Sequence, residues 1–201
     1  MRKAIEHLKT GDAKLAAVIE RVGPPRIDYF PPDFLSLVRC IVYQQLSGKA
    51  AATIFARLKQ AVEPEGMTPL TLARLSHDEL RGLGVSNQKA KFLHDLSART
   101  LDGTVAFERL PELPDDEVIA HLSAVKGVGV WTAQMFLMFG LRRPDVLPTG
   151  DLGIRNAMKR LYRIRGTVTA DRMNRIGRPW RPYATYASWY LWRSLENSQN
   201  V

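Results

Sequence analysis

Apolar residues return every three or four positions along almost the whole of this chain, and no stretch longer than a few residues keeps the two-residue alternation of a half-buried strand. That feature confines the fold to packed helices. Phe34, Leu37, Val38, Ile41 and Val42 form one stripe, and Ile154, Ala157, Met158 and Leu161 form another, backed by Arg155, Lys159 and Arg163. Helix starts are marked as well. Ser76-His77-Asp78-Glu79 is a capping box, Ser86 precedes a helical run, and Pro114-Asp115-Asp116-Glu117 opens an acidic first turn. Breaks fall at Val22-Gly23-Pro24-Pro25, Glu63-Pro64-Glu65-Gly66, Leu110-Pro111-Glu112-Leu113-Pro114, Arg142-Arg143-Pro144 and Arg178-Pro179-Trp180-Arg181-Pro182, which punctuate helices without forming long linkers. The reading is an all-α protein of roughly ten helices of ordinary length.

A chain of 201 residues that is 45% hydrophobic can bury a real core, as one large domain or as two small ones sharing a cleft. Its 29 Lys and Arg against 20 Asp and Glu leave a net charge of +9, which favours a polyanionic partner over an acidic metabolite. Cys40 is the single cysteine, so disulfides, cysteine zinc sites and a cysteine-ligated iron–sulfur cluster are excluded within one chain. Charges interrupt the apolar residues of the N-terminal segment, so neither a secretory signal nor a membrane span is expected there, and the expected location is cytoplasmic. His7, His77, His94 and His121 lack ligand spacing and read as surface residues.

Residues 125–134, VKGVGVWTAQ, place Gly127 and Gly129 one residue apart between two helical stretches. Such a turn can present main-chain amides, together with the N-terminal dipole of the following helix, to a phosphate oxygen; it can also serve only to connect two helices. Further on, Pro148-Thr149-Gly150 leads into Asp151 at the mouth of a basic amphipathic helix. An aspartate there is most often a plain N-cap. The functional alternative is a carboxylate kept ionised by the helix N-terminus and aimed at a developing positive charge.

VKGVGVWTAQ and VLPTGDLGIRNA, in this order and spacing, resemble the helix-hairpin-helix DNA glycosylase superfamily, marked by (L/V)-x-G-(V/I)-G-x-x-T-A followed by a Gly/Pro-rich loop and an essential Asp. IVYQQLSGKAAATIFARL near the front and WRPYATYASWYLW near the end are similar to its DNA-3-methyladenine glycosylase II branch, and the likeness runs over about residues 33–195. It implies two helical subdomains flanking a DNA-binding cleft: a central one at 33–140 that includes the hairpin at about 117–140, and a second made of 1–32 plus 141–201 that carries the catalytic Asp.

The same resemblance implies an activity and its parts. The activity is monofunctional removal of alkylated purines such as 3-methyladenine from double-stranded DNA, leaving an abasic site, by a protein that acts as a monomer. Asp151 would be catalytic. Trp131 stands where strand-nicking relatives carry a Schiff-base lysine, and with Trp189 and Met135 would line the base pocket. An indole face suits a cationic base, although a Trp packed into the hairpin is equally ordinary. Tyr183, Tyr186, Tyr190 and Trp192 read as core of a C-terminal helix. Gln45, or its neighbour Gln44, would fill the gap left by the flipped nucleotide. Gly127, Val128, Gly129 and Thr132 would grip phosphate, and the main-chain carbonyls of Ser123, Val125 and Val128 would hold a sodium or potassium ion, with no other cofactor. The competing readings are a noncatalytic hairpin module that only grips DNA and a glycosylase for oxidised or mismatched bases.

Overall fold

A computed structural model describes residues 1–196. Among these there are twelve α-helices and no strand. They are α1 (Arg2–Gly11), α2 (Ala13–Val22), α3 (Phe34–Tyr43), α4 (Gly48–Ala61), α5 (Pro69–Arg74), α6 (His77–Gly82), α7 (Asn87–Leu101), α8 (Asp115–Ser123), α9 (Val130–Met135), α10 (Leu152–Leu161), α11 (Ala170–Gly177) and α12 (Ala184–Glu196). Short 3-10 turns at Leu110–Glu112 and Arg178–Trp180 occupy two of the proline-rich breaks, and α9 runs on into a π-helical turn at Phe136–Gly140.

The caps explain most boundaries. Thr68 and Ser76 each form reciprocal capping boxes, with Thr71 and Glu79 respectively. Ser47 and Ser86 cap α4 and α7, and Asp33 caps α3 through the amide of Ser36. No side-chain cap is needed at α8, whose first turn carries Asp115, Asp116 and Glu117 against the helix dipole.

The chain divides into two compact units, Phe30–Leu141 and Met1–Tyr29 with Arg142–Val201. In Phe30–Leu141 the core is built from Leu37, Val38, Ile41, Leu58, Leu72, Leu80, Leu93, Leu96, Val118, Leu122 and Phe136, all fully enclosed. α7 is its spine, packed by α3, α5 and α6, while α8 and α9 pair across the glycine turn. In the other unit α10 packs on α12, and α12 on α2. Leu8, Leu15, Ile154, Met158, Met173, Trp180, Tyr190 and Leu191 fill the space between them.

That second core is tied by one half-buried carboxylate. Asp12 caps α2 through the amides of Lys14 and Leu15, and its other oxygen accepts from the Tyr162 hydroxyl and, at 3.0 Å, from Trp180 Nε1. Burial and then the Asp12 contact push the Tyr162 hydroxyl far above its ordinary pKa, so it stays a donor. All four histidines are half-buried, and one nitrogen of each ring has a partner: Pro179 O for His7, Asn87 Oδ1 for His77, Leu75 O for His94 and Glu117 O for His121.

Candidate active site

The hairpin in Phe30–Leu141 follows from its sequence. α8 ends at Ser123, residues 124–129 turn, and α9 begins at Val130. The two glycines do different work. Gly127 sits at φ +80°, and a Cβ there would fall 2.1 Å from the Phe92 ring of α7. Gly129 is extended, at φ −91°, and a Cβ there would meet nothing within 4 Å. The first is required by the fold, while the second leaves an open face beside the start of α9. Asp95 of α7 secures the turn from below: Oδ2 accepts from the Lys126 amide at 2.9 Å and from Arg99 Nε at 2.8 Å. Burial works against this carboxylate's charge, but those donors outweigh it and hold its pKa below the ordinary value.

The α3–α4 turn stands beside the hairpin. Lys89 Nζ donates to the carbonyls of Val42 at 2.7 Å and Gln44 at 2.5 Å, closing the C-terminal end of α3. Burial of this ammonium lowers its pKa. Gln44 faces inward, its amide donating to Gly127 O at 2.9 Å and Thr132 Oγ1 at 3.3 Å. Gln45 takes the left-handed conformation at φ 55° and is exposed, and Leu46 next to it leaves 41% of its surface open. The adjacent glutamines therefore point in different directions. Thr132 is buried, and its hydroxyl oxygen accepts from Gln44.

Trp131, Met135, Gln44, Gln45, Gly127 and Thr132 line one cavity of about 550 Å³, together with Arg39, Cys40, Tyr43 and Phe139. Trp131 is 44% exposed, an unusual state for an indole that only packs a hairpin. The Arg39 guanidinium already lies over the Tyr43 ring, 4.7 Å from its centre. Burial pushes the Cys40 thiol up to about 11, which keeps it protonated. Arg39, Cys40 and Tyr43 were not foreseen from the sequence; Arg39 and Cys40 lie about one turn before Gln44 on α3 and Tyr43 directly before it, which is the signal that could have found them.

The carbonyls named for a cation belong to this turn. Val125 O accepts from the Val128 amide at 3.0 Å, and the buried Ser123 hydroxyl has no hydrogen-bond partner. Carbonyl oxygens suit a hard cation, and an orphaned buried hydroxyl is what a bound ion or water would satisfy, so the donor set fits.

Asp151 lies in the other unit and is only 8% exposed. The loop before it is pinned to the start of α12: Thr185 Oγ1 accepts from the Val146 amide at 3.0 Å and donates to Arg143 O at 2.6 Å, and Asp145 pairs with Arg181 at 2.9 Å. Asp151 caps α10, with Oδ1 accepting from the Ile154 amide at 2.7 Å. The same oxygen accepts from Trp192 Nε1 at 2.9 Å. Trp192 packs against the core as expected, and it is also the α12 indole that reaches Asp151 with a hydrogen bond, one turn beyond Trp189. Trp189 is 7% exposed, stacked edge-on to Tyr190 with the Arg193 guanidinium over its ring. Tyr190 is core as expected, its hydroxyl donating to Gly23 O.

A helical protein with a glycine hairpin and an aspartate at a helix mouth is the arrangement found in helix-hairpin-helix DNA repair proteins. Residues 38–182 match the model of the HhH-GPD superfamily of base excision DNA repair proteins, and the chain belongs to that family. The fission yeast (Schizosaccharomyces pombe) protein DNA-3-methyladenine glycosylase 1 is 33% identical over 170 residues, covering 82% of this chain and 74% of its own. The Bacillus subtilis protein YfjP is 36% identical over 158 residues, 75% of this chain, which spans only 54% of that longer protein. Among solved structures, the fission yeast 3-methyladenine DNA glycosylase in complex with abasic DNA superposes with a TM-score of 0.86 at 31% identity, over 99% of each chain. A DNA-3-methyladenine glycosidase from Bacillus halodurans gives 0.84 at 37% identity, over 95% of this chain and 88% of that one. No helix among the described residues is long and apolar enough to cross a membrane.

Proposed function

We propose that this protein is a monofunctional DNA glycosylase that excises alkylated purines such as 3-methyladenine from duplex DNA and leaves an abasic site. The observation that carries the proposal is Asp151: a mostly buried carboxylate at the mouth of α10 whose Oδ1 is gripped by two N–H donors, in a family of base excision repair proteins. The names of its relatives supply the substrate class.

The chemistry follows. The flipped nucleotide loses its base as the C1′–N bond breaks, with the bonding pair leaving on the base; water then supplies the oxygen to C1′ and gives up a proton to solvent. The sugar passes through an oxocarbenium-like state, which a fixed carboxylate stabilises because it is oriented before the charge appears. An N-alkylated purine is already cationic and leaves without a strong general acid. Trp131 offers it an aromatic face, worth on the order of 1 kcal/mol or more once water is excluded, with Met135 beside it and Trp189 kept as a second pocket candidate. The position two after Gly129 carries this indole instead of an amine, so strand nicking through a Schiff base has no nucleophile there.

The remaining parts concern grip. Gly127, Val128, Gly129 and the amide of Thr132 hold a phosphate oxygen, and the carbonyls of Ser123, Val125 and Val128 would hold a monovalent cation that adds charge against that phosphate. Gln45 enters the gap in the duplex, with exposed Leu46 adding an apolar wedge beside it. The enzyme works as a monomer.

The test is release of free bases from methylated duplex DNA by wild type and by Asp151→Asn, with strand integrity read before and after alkali. Release of 3-methyladenine by wild type alone, with nicks only after alkali, is the expected result. Salt-sensitive DNA binding by both proteins with no release by either would overturn the proposal in favour of a binding module.

A further inference from the structure

Asp151 is not the only aspartate here that caps a helix. Asp33 does so through the Ser36 amide, and Asp12 caps α2 with one oxygen while the other takes the ring donors of Tyr162 and Trp180. Asp151 differs in that the capping amide of Ile154, at 2.7 Å, and the indole N–H of Trp192, at 2.9 Å, converge on Oδ1. An amide from α10 alone satisfies a cap; it leaves the carboxylate plane free to swing about the second side-chain torsion. A second donor arriving from α12 removes that freedom.

Room for the second donor comes from a glycine. A Cβ on Gly153 would lie 3.0 Å from Asp151 Oδ1, 3.0 Å from Trp192 Cδ1 and 3.2 Å from Trp192 Nε1. These approaches are inside the 3.5–4.0 Å optimum for heavy-atom contact, so a side chain at 153 would force the indole or the carboxylate to give by a few tenths of an ångström and would disturb the contact between them. Nothing in the backbone of α10 otherwise asks for glycine there, and in a helix it costs roughly 0.5–1 kcal/mol relative to alanine.

We propose that Trp192 is a positioning residue for Asp151, and that Gly153 exists to let its indole N–H reach Oδ1. Trp192 touches neither base nor sugar in this account. It holds the carboxylate in the orientation that the developing charge on the sugar requires, so its contribution appears in the chemical step and not in DNA affinity. The inference rests on the glycosylase reading above and adds two residues to it.

Single-turnover release of 3-methyladenine from methylated duplex DNA, abasic-duplex binding and thermal unfolding should be measured for Trp192→Phe, Gly153→Ala, Asp151→Asn and the double variant Trp192→Phe/Asp151→Asn. Trp192→Phe keeps the ring and loses the donor, and should slow release about 10- to 100-fold while abasic-duplex affinity stays within about threefold. In the Asp151→Asn background it should change the residual rate by less than about threefold, since a residue acting through Asp151 has nothing left to orient. Gly153→Ala should slow release by a similar factor with the indole still present.

Wild-type rates in Trp192→Phe, a full further loss in the double variant, or a loss of affinity matching the loss of rate would each overturn the proposal. If Trp192→Phe does not fold, Gly153→Ala and the indole ¹⁵N–¹H resonance of Trp192 decide: that resonance should move on Asp151→Ala, and an unmoved resonance refutes the contact. A wild type that releases no base would instead remove the glycosylase reading, and the indole resonance separates that failure from the failure of the contact.

Discussion

Gly127→Ala is the sharpest perturbation of the hairpin. Two costs add. The φ of +80° lies where an L side chain is disfavoured by about 1–2 kcal/mol. The new methyl would also stand 2.1, 2.2 and 2.5 Å from three carbons of the Phe92 ring. An overlap that deep is not absorbed by small adjustments, so the ring or the turn must move, at about 1–3 kcal/mol for a repacked core. The sum of about 2–5 kcal/mol corresponds, at 2–4 °C per kcal/mol for a chain of this size, to a fall in Tm of roughly 4–20 °C. Gly127 O also accepts the Gln44 amide, so the shift should reach the α3–α4 turn and weaken abasic-duplex binding together with stability. Circular dichroism melts of wild type, Gly127→Ala, Phe92→Leu and the double variant separate the two costs. With the ring gone, Gly127→Ala should cost only the backbone share of about 1–2 kcal/mol. A Tm within about 2 °C of wild type, or equal losses with and without the Phe92 ring, would refute the reasoning.

Other expectations follow from the same geometry. Asp95 has its pKa held below the unfolded value of 3.8, so its contribution is complete above that value and is lost as pH falls through the lower folded value. Urea melts should show wild type losing stability below about pH 4 and Asp95→Asn, less stable at neutral pH, losing less over the same interval. Gln45→Ala should weaken binding to an abasic duplex more than to an intact one, and equal losses on both would remove it from the gap. Trp131→Lys should reduce release of 3-methyladenine from methylated DNA, whereas unchanged release would take the indole out of the base pocket. Asp151→Asn should cut release to a small residual rate with DNA binding nearly intact; loss of folding instead would mark Asp151 as a structural cap alone.

Helix positions were largely open to reading because their signals are local. A serine with a glutamate three residues on, an acidic first turn, or a Gly-Pro break acts on the backbone beside it, and the caps at Ser76 and Ser86 and the acidic first turn at Asp115 fall where expected. The hairpin and Asp151 were legible for the same reason, each being a short contiguous motif. Short helices were harder: roughly ten were expected and the described residues form twelve, because six-residue helices such as α5 and α6 carry too few turns for periodicity to separate them from loops.

The sequence by itself determined an all-helical fold, a turn that needs glycine, and an aspartate at a helix mouth. Tertiary structure alone decided which indole meets that aspartate. Trp189 and Trp192 lie one turn apart on α12, and periodicity says which side of a helix is apolar but not which neighbour covers each part of it. It also set Gln44 apart from Gln45: Gln44 donates to Gly127 O, while Gln45, in left-handed backbone, is exposed. Gly127 was separated from Gly129 in the same way, by a phenylalanine 35 positions earlier in the chain whose ring fills the space a side chain would need. In each case the deciding contact is between residues far apart in sequence, and such contacts exist only once the helices have packed.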